Sequence, residues 1–279
     1  RCIVQGGIQM LGKLLKHDFK ALFRNYSLLF AVLLLVTLLY KVCLLLPKNI
    51  VLNFTNGLMG VLYVIVILGC LFGAAVINIV RFYKNLVTDE GYLTFTLPVS
   101  SRQIVASKLI STLVMDVLMA VAVLLSTLVL RSNLPVLAEM YQSIEEALHQ
   151  IANSAEWRTL AVSVVGYSTL ACIYTQMGAF TAVAIGQTNR THKIAAGVGA
   201  YALIYFITQC VMGVVALLWA LQFHLYNTNI VITNFEVTPI ELLHAASGLF
   251  FIVGAVVVVL GVACFFLTDY LFTKKLNLE

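Results

Sequence analysis

Six long apolar runs constrain this chain more than any other feature. They cover roughly residues 26–46, 58–80, 109–130, 160–186, 194–220 and 247–268. Each has about the 20 residues that a helix needs to cross a hydrocarbon core. In that core no water can satisfy backbone N–H and C=O groups, so a run of this kind must close its hydrogen bonds within itself, as a helix. The expected fold is all-α: a polytopic membrane helix bundle with six transmembrane helices. Composition agrees, with 61% of the 279 residues hydrophobic and 10% charged, against about 25% charged in soluble domains. The first apolar run starts late and is long enough to span, so a cleavable signal peptide is not expected. Residues 1–9 carry no recognisable pattern.

Lysine and arginine placement sets the expected orientation. Thirteen of the 17 fall in the N-terminal segment, residues 81–108, residues 187–193 and the C-terminal tail. The other side holds Lys41, Lys48, Arg131 and Arg158, with Glu139, Glu145, Glu146, Glu156, Glu236 and Glu241. Both termini are therefore expected in the cytoplasm. The net charge of +5 follows from this topology and from anionic membrane lipids, so a nucleic-acid partner is not required. The six cysteines are scattered, without a CxxC pair, and read as small core residues.

Residues 10–24 have two faces at helical spacing. Leu11, Leu14, Leu15, Phe19 and Leu22 fall on one, and Lys13, Lys16, Lys20 and Arg24 on the other. This predicts an interfacial amphipathic helix before the first span. Asp18 lands on the apolar side, either as a partly wet carboxylate, or paired with a cytoplasmic basic residue, or touching a partner protein. The expected organisation is an N-terminal segment over 1–25 and a six-span domain over 26–279. That domain contains a cytoplasmic segment at 81–108 and outer segments at 131–159 and 221–246.

The cytoplasmic segment is rich in signals. Thr88 or Asp89 can cap a short helix, and Gly91 permits a tight turn. Pro98 ends what precedes it. Ser100 and Gln103 have the spacing of a capping box. A short helix held between two spans is a lever, because pushing it must move both. The stretch DEGYLTFTLPVSSRQIVASKL resembles the acidic–Gly…Leu-Pro-x-Ser…Lys pattern of ABC-2-type transporter permeases of the Gram-positive bacterial kind. The matching positions are Asp89, Glu90, Gly91, Leu97, Pro98, Ser100 and Lys108.

The resemblance implies a coupling helix near Thr88–Tyr92, including Tyr92, that docks on an ATP-binding subunit. No G-x-x-x-x-G-K-[ST] occurs in these residues, so this stretch has no P-loop to cradle ATP. The resemblance then places the ATPase, with its ATP and Mg, on a separate polypeptide, leaving no cofactor on this chain. It also implies a second permease copy or paralogue, and a place in the bacterial cytoplasmic (plasma) membrane.

Residues 135–152 put Leu137, Met140 or Tyr141, Ile144, Leu148 and Ile151 on one face, predicting an amphipathic helix on the outer surface. In the resembling family, short helices between the fifth and sixth spans dip back into the membrane, and residues 239–247 are expected to do so here. Asp116 lies inside the third span, about two turns from Lys108. Intramembrane carboxylates are costly and face a partner or cavity, so either an interior polar partner or pairing with Lys108 or Arg81 is expected. The fourth span is rich in small and polar residues, among them Ser168, Thr175 and Gln176. They, with Asp116, line a pathway or pack helices. Gly178, Ala182 and Gly186, and Gly69 with Gly73, have the spacing of close helix contacts.

Catalysis finds little support. The five histidines form neither HxxxH nor HExxH, and no metal or acid–base set assembles. No enzymatic activity or metal site is expected. The reading is the membrane subunit of an ATP-driven exporter of an amphipathic cargo, peptide or lipid-like. Two alternatives stay open: an ion-coupled secondary transporter, or a non-transporting membrane sensor or immunity protein.

Overall fold

The structure is a computed structural model that describes residues 2–46, 50–87, 101–131, 134–189, 192–230 and 239–274. The described residues form seven helices and no strand: α1 (Cys2–Leu45), α2 (Ile50–Val87), α3 (Ser101–Leu130), α4 (Pro135–Asn153), α5 (Ala155–Gly186), α6 (Lys193–Ile230) and α7 (Pro239–Lys274). All except α4 contain a stretch long and apolar enough to cross a membrane. The six stretches match the six apolar runs, and the chain is a multi-pass membrane helix bundle.

Two expectations about helix boundaries change. The N-terminal amphipathic segment is not a separate interfacial helix, because α1 continues unbroken from Cys2 to Leu45. The sequence explains this: residues 13–46 contain neither glycine nor proline, and only such residues reliably interrupt a helix. Likewise, residues 239–247 do not form a separate element dipping into the membrane. They are the first turns of α7, which runs unbroken to Lys274. Pro239 sits at the helix start, where its missing N–H is no loss.

The chain divides into two compact units, residues 1–145 and 146–279. In the first, α1 packs against both α2 and α3. Leu22, Tyr26, Leu33, Cys70, Ala74, Met115 and Met119 form the larger buried cluster there. A smaller one gathers Val36, Tyr40, Tyr63 and Leu130. Gly73 lets Leu29 of α1 approach α2, since a Cβ there would lie 3.3 Å from Leu29 Cδ2. Gly69 has nothing within reach, so only one half of the Gly69–Gly73 pair acts as a helix contact within the unit. Helix α4 starts back along α3: Tyr141 shares a hydrogen bond of 2.9 Å with Thr127, and the Arg131 guanidinium lies 5.1 Å from the Tyr141 ring centre.

In the second unit, α5 packs along both α6 and α7. Here the small-residue spacing does what the sequence predicts. Gly178 faces Ile204, and a Cβ on Gly186 would lie 2.8 Å from the backbone of Gly197 and Lys193. Hydroxyls add specific ties: Tyr174 pairs with Thr208, and Thr181 shares a hydrogen bond of 2.9 Å with Thr268. In both units the outward faces carry leucine, valine and phenylalanine, such as Leu34, Phe72 and Phe206. In hydrocarbon these faces gain nothing by pairing, so close packing and polar contacts decide which helices meet.

Candidate functional site

The polar chemistry of unit 1 sits on the inner faces of α1, α2 and α3, in two layers. The outer layer is ionic. Asp18 lies one helical turn before Leu22 and two before Tyr26, so it shares their buried face. That is why it breaks the amphipathic pattern of residues 10–24. Its carboxylate pairs with Lys108 of α3, and Arg81 of α2 brings Nη2 to 3.7 Å from the same oxygen. The side chains are 3%, 9% and 12% exposed for Asp18, Lys108 and Arg81, so the set is desolvated on all sides. Removing one partner of a buried pair costs about 3–5 kcal/mol, because the other charge stays behind without compensation. Asp18 Oδ2 is buried and accepts no hydrogen bond among the described residues, a burden of about 1–3 kcal/mol.

The inner layer lies one to two turns deeper along each helix. Asp116 of α3 accepts hydrogen bonds from Tyr26 of α1 (2.9 Å) and from Asn78 Nδ2 of α2 (3.0 Å and 3.2 Å to its two oxygens). The Tyr26 hydroxyl also lies 2.9 Å from Asn78 Oδ1 and 3.4 Å from Ala74 O, so its single proton has three acceptors within reach. Tyr26 and Asn78 are fully buried. Each layer therefore joins all three helices. Farther along, Tyr63 of α2 and Ser126 of α3 share a bond of 2.7 Å, and Lys41 of α1 donates to Val129 O at 2.8 Å.

The sequence-selected residues divide into several groups. Asp18 and Asp116 are in this network, and Asp116 takes Tyr26 and Asn78 as partners, while Lys108 and Arg81 go to Asp18. Lys16, Lys20 and Arg24 are exposed on the opposite face of α1, and the Lys13 side chain lies outside the described set. Ser168 and Thr175 are exposed on α5 and donate to their own helix, to Val164 O and to Ala171 O and Cys172 O. Gln176 is half-buried. Thr88, Asp89, Glu90, Gly91, Tyr92, Leu97, Pro98 and Ser100 all lie outside the described residues.

Sequence reasoning missed Tyr26 and Asn78. Asn78 did carry a signal: it is the lone carboxamide in the second apolar run, and such a group in hydrocarbon seeks a partner on a neighbouring helix. Tyr26 sits where the amphipathic segment becomes the first span, a position that reads equally as an interfacial anchor. Among the described residues no group of His, Cys, Asp and Glu is arranged to hold a metal ion.

No family model matches this chain, and neither a curated protein nor a solved structure matches it.

Proposed function

We propose that this multi-pass membrane protein is the permease subunit of an ATP-driven exporter of the ABC-2 type. It moves an amphipathic cargo, peptide or lipid-like, outward across a bacterial cytoplasmic membrane, with both termini inside. A separate ATP-binding subunit, holding ATP and Mg, docks on residues 88–92, and a second permease copy or paralogue completes the unit.

The observation that carries this reading is the ionic layer. Arg81 is near the end of α2 and Lys108 near the start of α3, so they flank residues 88–100 on either side. Both reach Asp18 of α1. Force applied to the segment between them passes to all three helices at once, instead of being absorbed by one. The motif of Asp89, Glu90, Gly91, Leu97, Pro98 and Ser100 supplies the docking surface. The inner layer then keeps the three helices in step as the outer layer is displaced.

Purification in mild detergent from the native membrane, with mass spectrometry of what is retained, tests this. A stoichiometric soluble protein with a P-loop is the expected companion. Glu90→Lys or Gly91→Pro should lower its recovery about tenfold, equivalent to roughly 1.4 kcal/mol, while this chain stays inserted. A permease recovered without any ATPase would overturn the proposal. The weight would then move to an ion-coupled secondary transporter, a reading favoured by the Asp116–Asn78–Tyr26 set, since intramembrane carboxylates mark ion and proton paths.

A further inference from the structure

Helix α6 has three faces at helical spacing, each roughly 120° from the next. On the first, Gly197, Ile204, Thr208 and Trp219 meet α5 and α7 through Gly186, Gly178, Tyr174 and Gly248. On the second, Leu203, Val214 and Leu221 stand 59%, 57% and 52% exposed, as large apolar side chains do against lipid. The third is different. It runs through Ala202, Gln209, Gly213 and Ala216, all exposed, with Tyr205 and Phe206 at its margins. Gln209 lies close to the middle of the span Lys193–Gln222, and it has no hydrogen-bond partner among the described residues. Gly213, one turn on, has nothing within 4 Å of where a Cβ would stand. Neither residue is explained by the contacts of its own unit. A carboxamide left open in hydrocarbon is costly, and a glycine inside a helix weakens it relative to alanine.

We infer that this third face of α6 is where two copies of the chain meet, with Gln209 paired to Gln209. A carboxamide carries both a donor and an acceptor, so two of them complete each other with a pair of hydrogen bonds and need no further group. Depth selects a second copy over an unrelated protein. Copies of one membrane protein are inserted with the same orientation, set by the same basic residues, so the twofold axis relating them runs along the membrane normal. That axis sets the face opposite its own counterpart, residue by residue and at equal depth. A different protein would need a polar group of its own at the centre of the bilayer. The small residues supply the approach. Ala202, Gln209 and Ala216 are seven apart, the spacing that keeps one seam turned to a partner in a left-handed pair. Gly213 removes the side chain that would hold the second helix off.

The pairing deepens the second-copy element of the exporter reading without needing its cargo or its ATPase. Its test reads only association of this chain, so failure here leaves recovery of an ATPase to decide the exporter reading by itself. Full-length chains carrying a donor or an acceptor dye at the C terminus are mixed in phosphatidylethanolamine–phosphatidylglycerol vesicles, and energy transfer is followed as added lipid dilutes the protein. Wild type should form a pair that dissociates on dilution. Gln209→Leu keeps the bulk and the helix preference of the side chain, and should weaken pairing about tenfold, the size expected when two hydrogen bonds between membrane helices are lost. Gly213→Leu fills the seam and should weaken it at least as much. Val214→Phe adds bulk to the lipid side of the same helix and should leave pairing unchanged. A wild-type chain that stays monomeric at every dilution would overturn the inference. So would a Gln209→Leu chain that pairs as tightly as wild type, because Gln209 would then be met by another part of its own chain. Equal weakening by Val214→Phe would also overturn it, since the loss would not belong to the Gln209 face.

Discussion

Residues 1–145 and 146–279 each contribute three of the six long apolar helices, yet the two units hold them together by different chemistry. In the first, helices meet through charge and strong dipoles: Asp18 with Lys108 and Arg81, and Asp116 with Tyr26 and Asn78. In the second, α5 meets its neighbours through missing side chains and hydroxyls: Gly178 and Gly186 against α6, and Thr181 against Thr268 of α7. A glycine contact works at one separation and has no alternative. An ionic contact is set by charge, which falls off gradually with distance and tolerates small shifts of the groups that make it. The contrast places buried charge at the helix contacts of the first unit and close backbone approach at those of the second.

The sharpest way to break this comparison is Asp18→Ala. It removes the carboxylate that Lys108 and Arg81 both approach, and the loss should be about 3–5 kcal/mol, read by denaturant or thermal unfolding in bicelles. The damage should be confined to α1, α2 and α3, so hydrogen exchange in residues 155–186 should stay as in wild type. Equal loosening of both units would mean that they do not differ in the way described. Gly186→Ala probes the other side. Its Cβ would lie 2.8 Å from Gly197 Cα, Gly197 N and Lys193 O. These are backbone atoms and cannot swing away as a side-chain tip can. Overpacking of this kind costs about 1–3 kcal/mol. The effect should appear as faster exchange in α5 and α6, with the ionic layer of unit 1 untouched.

Most of the fold was legible because hydrocarbon leaves the backbone few choices: a 20-residue apolar run must be a helix. The continuity of α1 was legible too, in the absence of glycine and proline between residues 13 and 46, although the two-faced pattern of residues 10–24 drew attention to a separate interfacial helix. The candidate site was half legible. Asp18 stood out as a carboxylate on an apolar face, and Asp116 as one inside a span, because both violate local rules. Their partners were not legible. Lys108 lies two turns from Asp116 on the same helix, and proximity in sequence made that pair an obvious option. The choice of Asp18 instead depends on how far α1 and α3 are rotated and shifted along each other, and helical periodicity carries no information about that register. Asn78 could have been singled out as an isolated amide, but its meeting with Asp116 and Tyr26 depends on the same unknown rotation.

The mildest probe is Thr181→Val. It keeps the shape of the side chain and removes one hydroxyl from the middle of unit 2. Thr181 Oγ1 donates a bond of 2.8 Å to Met177 O of its own helix and shares one of 2.9 Å with Thr268. Thr268 has its own carbonyl partner, Cys264 O at 2.8 Å, so removing Thr181 Oγ1 leaves Thr268 satisfied. Hydrogen bonds between membrane helices are worth about 0.6 kcal/mol on average and at most about 1.7, and the lower figure fits a pair in which each member already has a helical partner. A loss of about 0.6 kcal/mol in bicelle unfolding would support a unit held by shape, with hydroxyls as secondary ties. A loss in the range expected for Asp18→Ala would mean that unit 2, too, depends on a single buried polar contact, and the distinction between the halves would have to be abandoned.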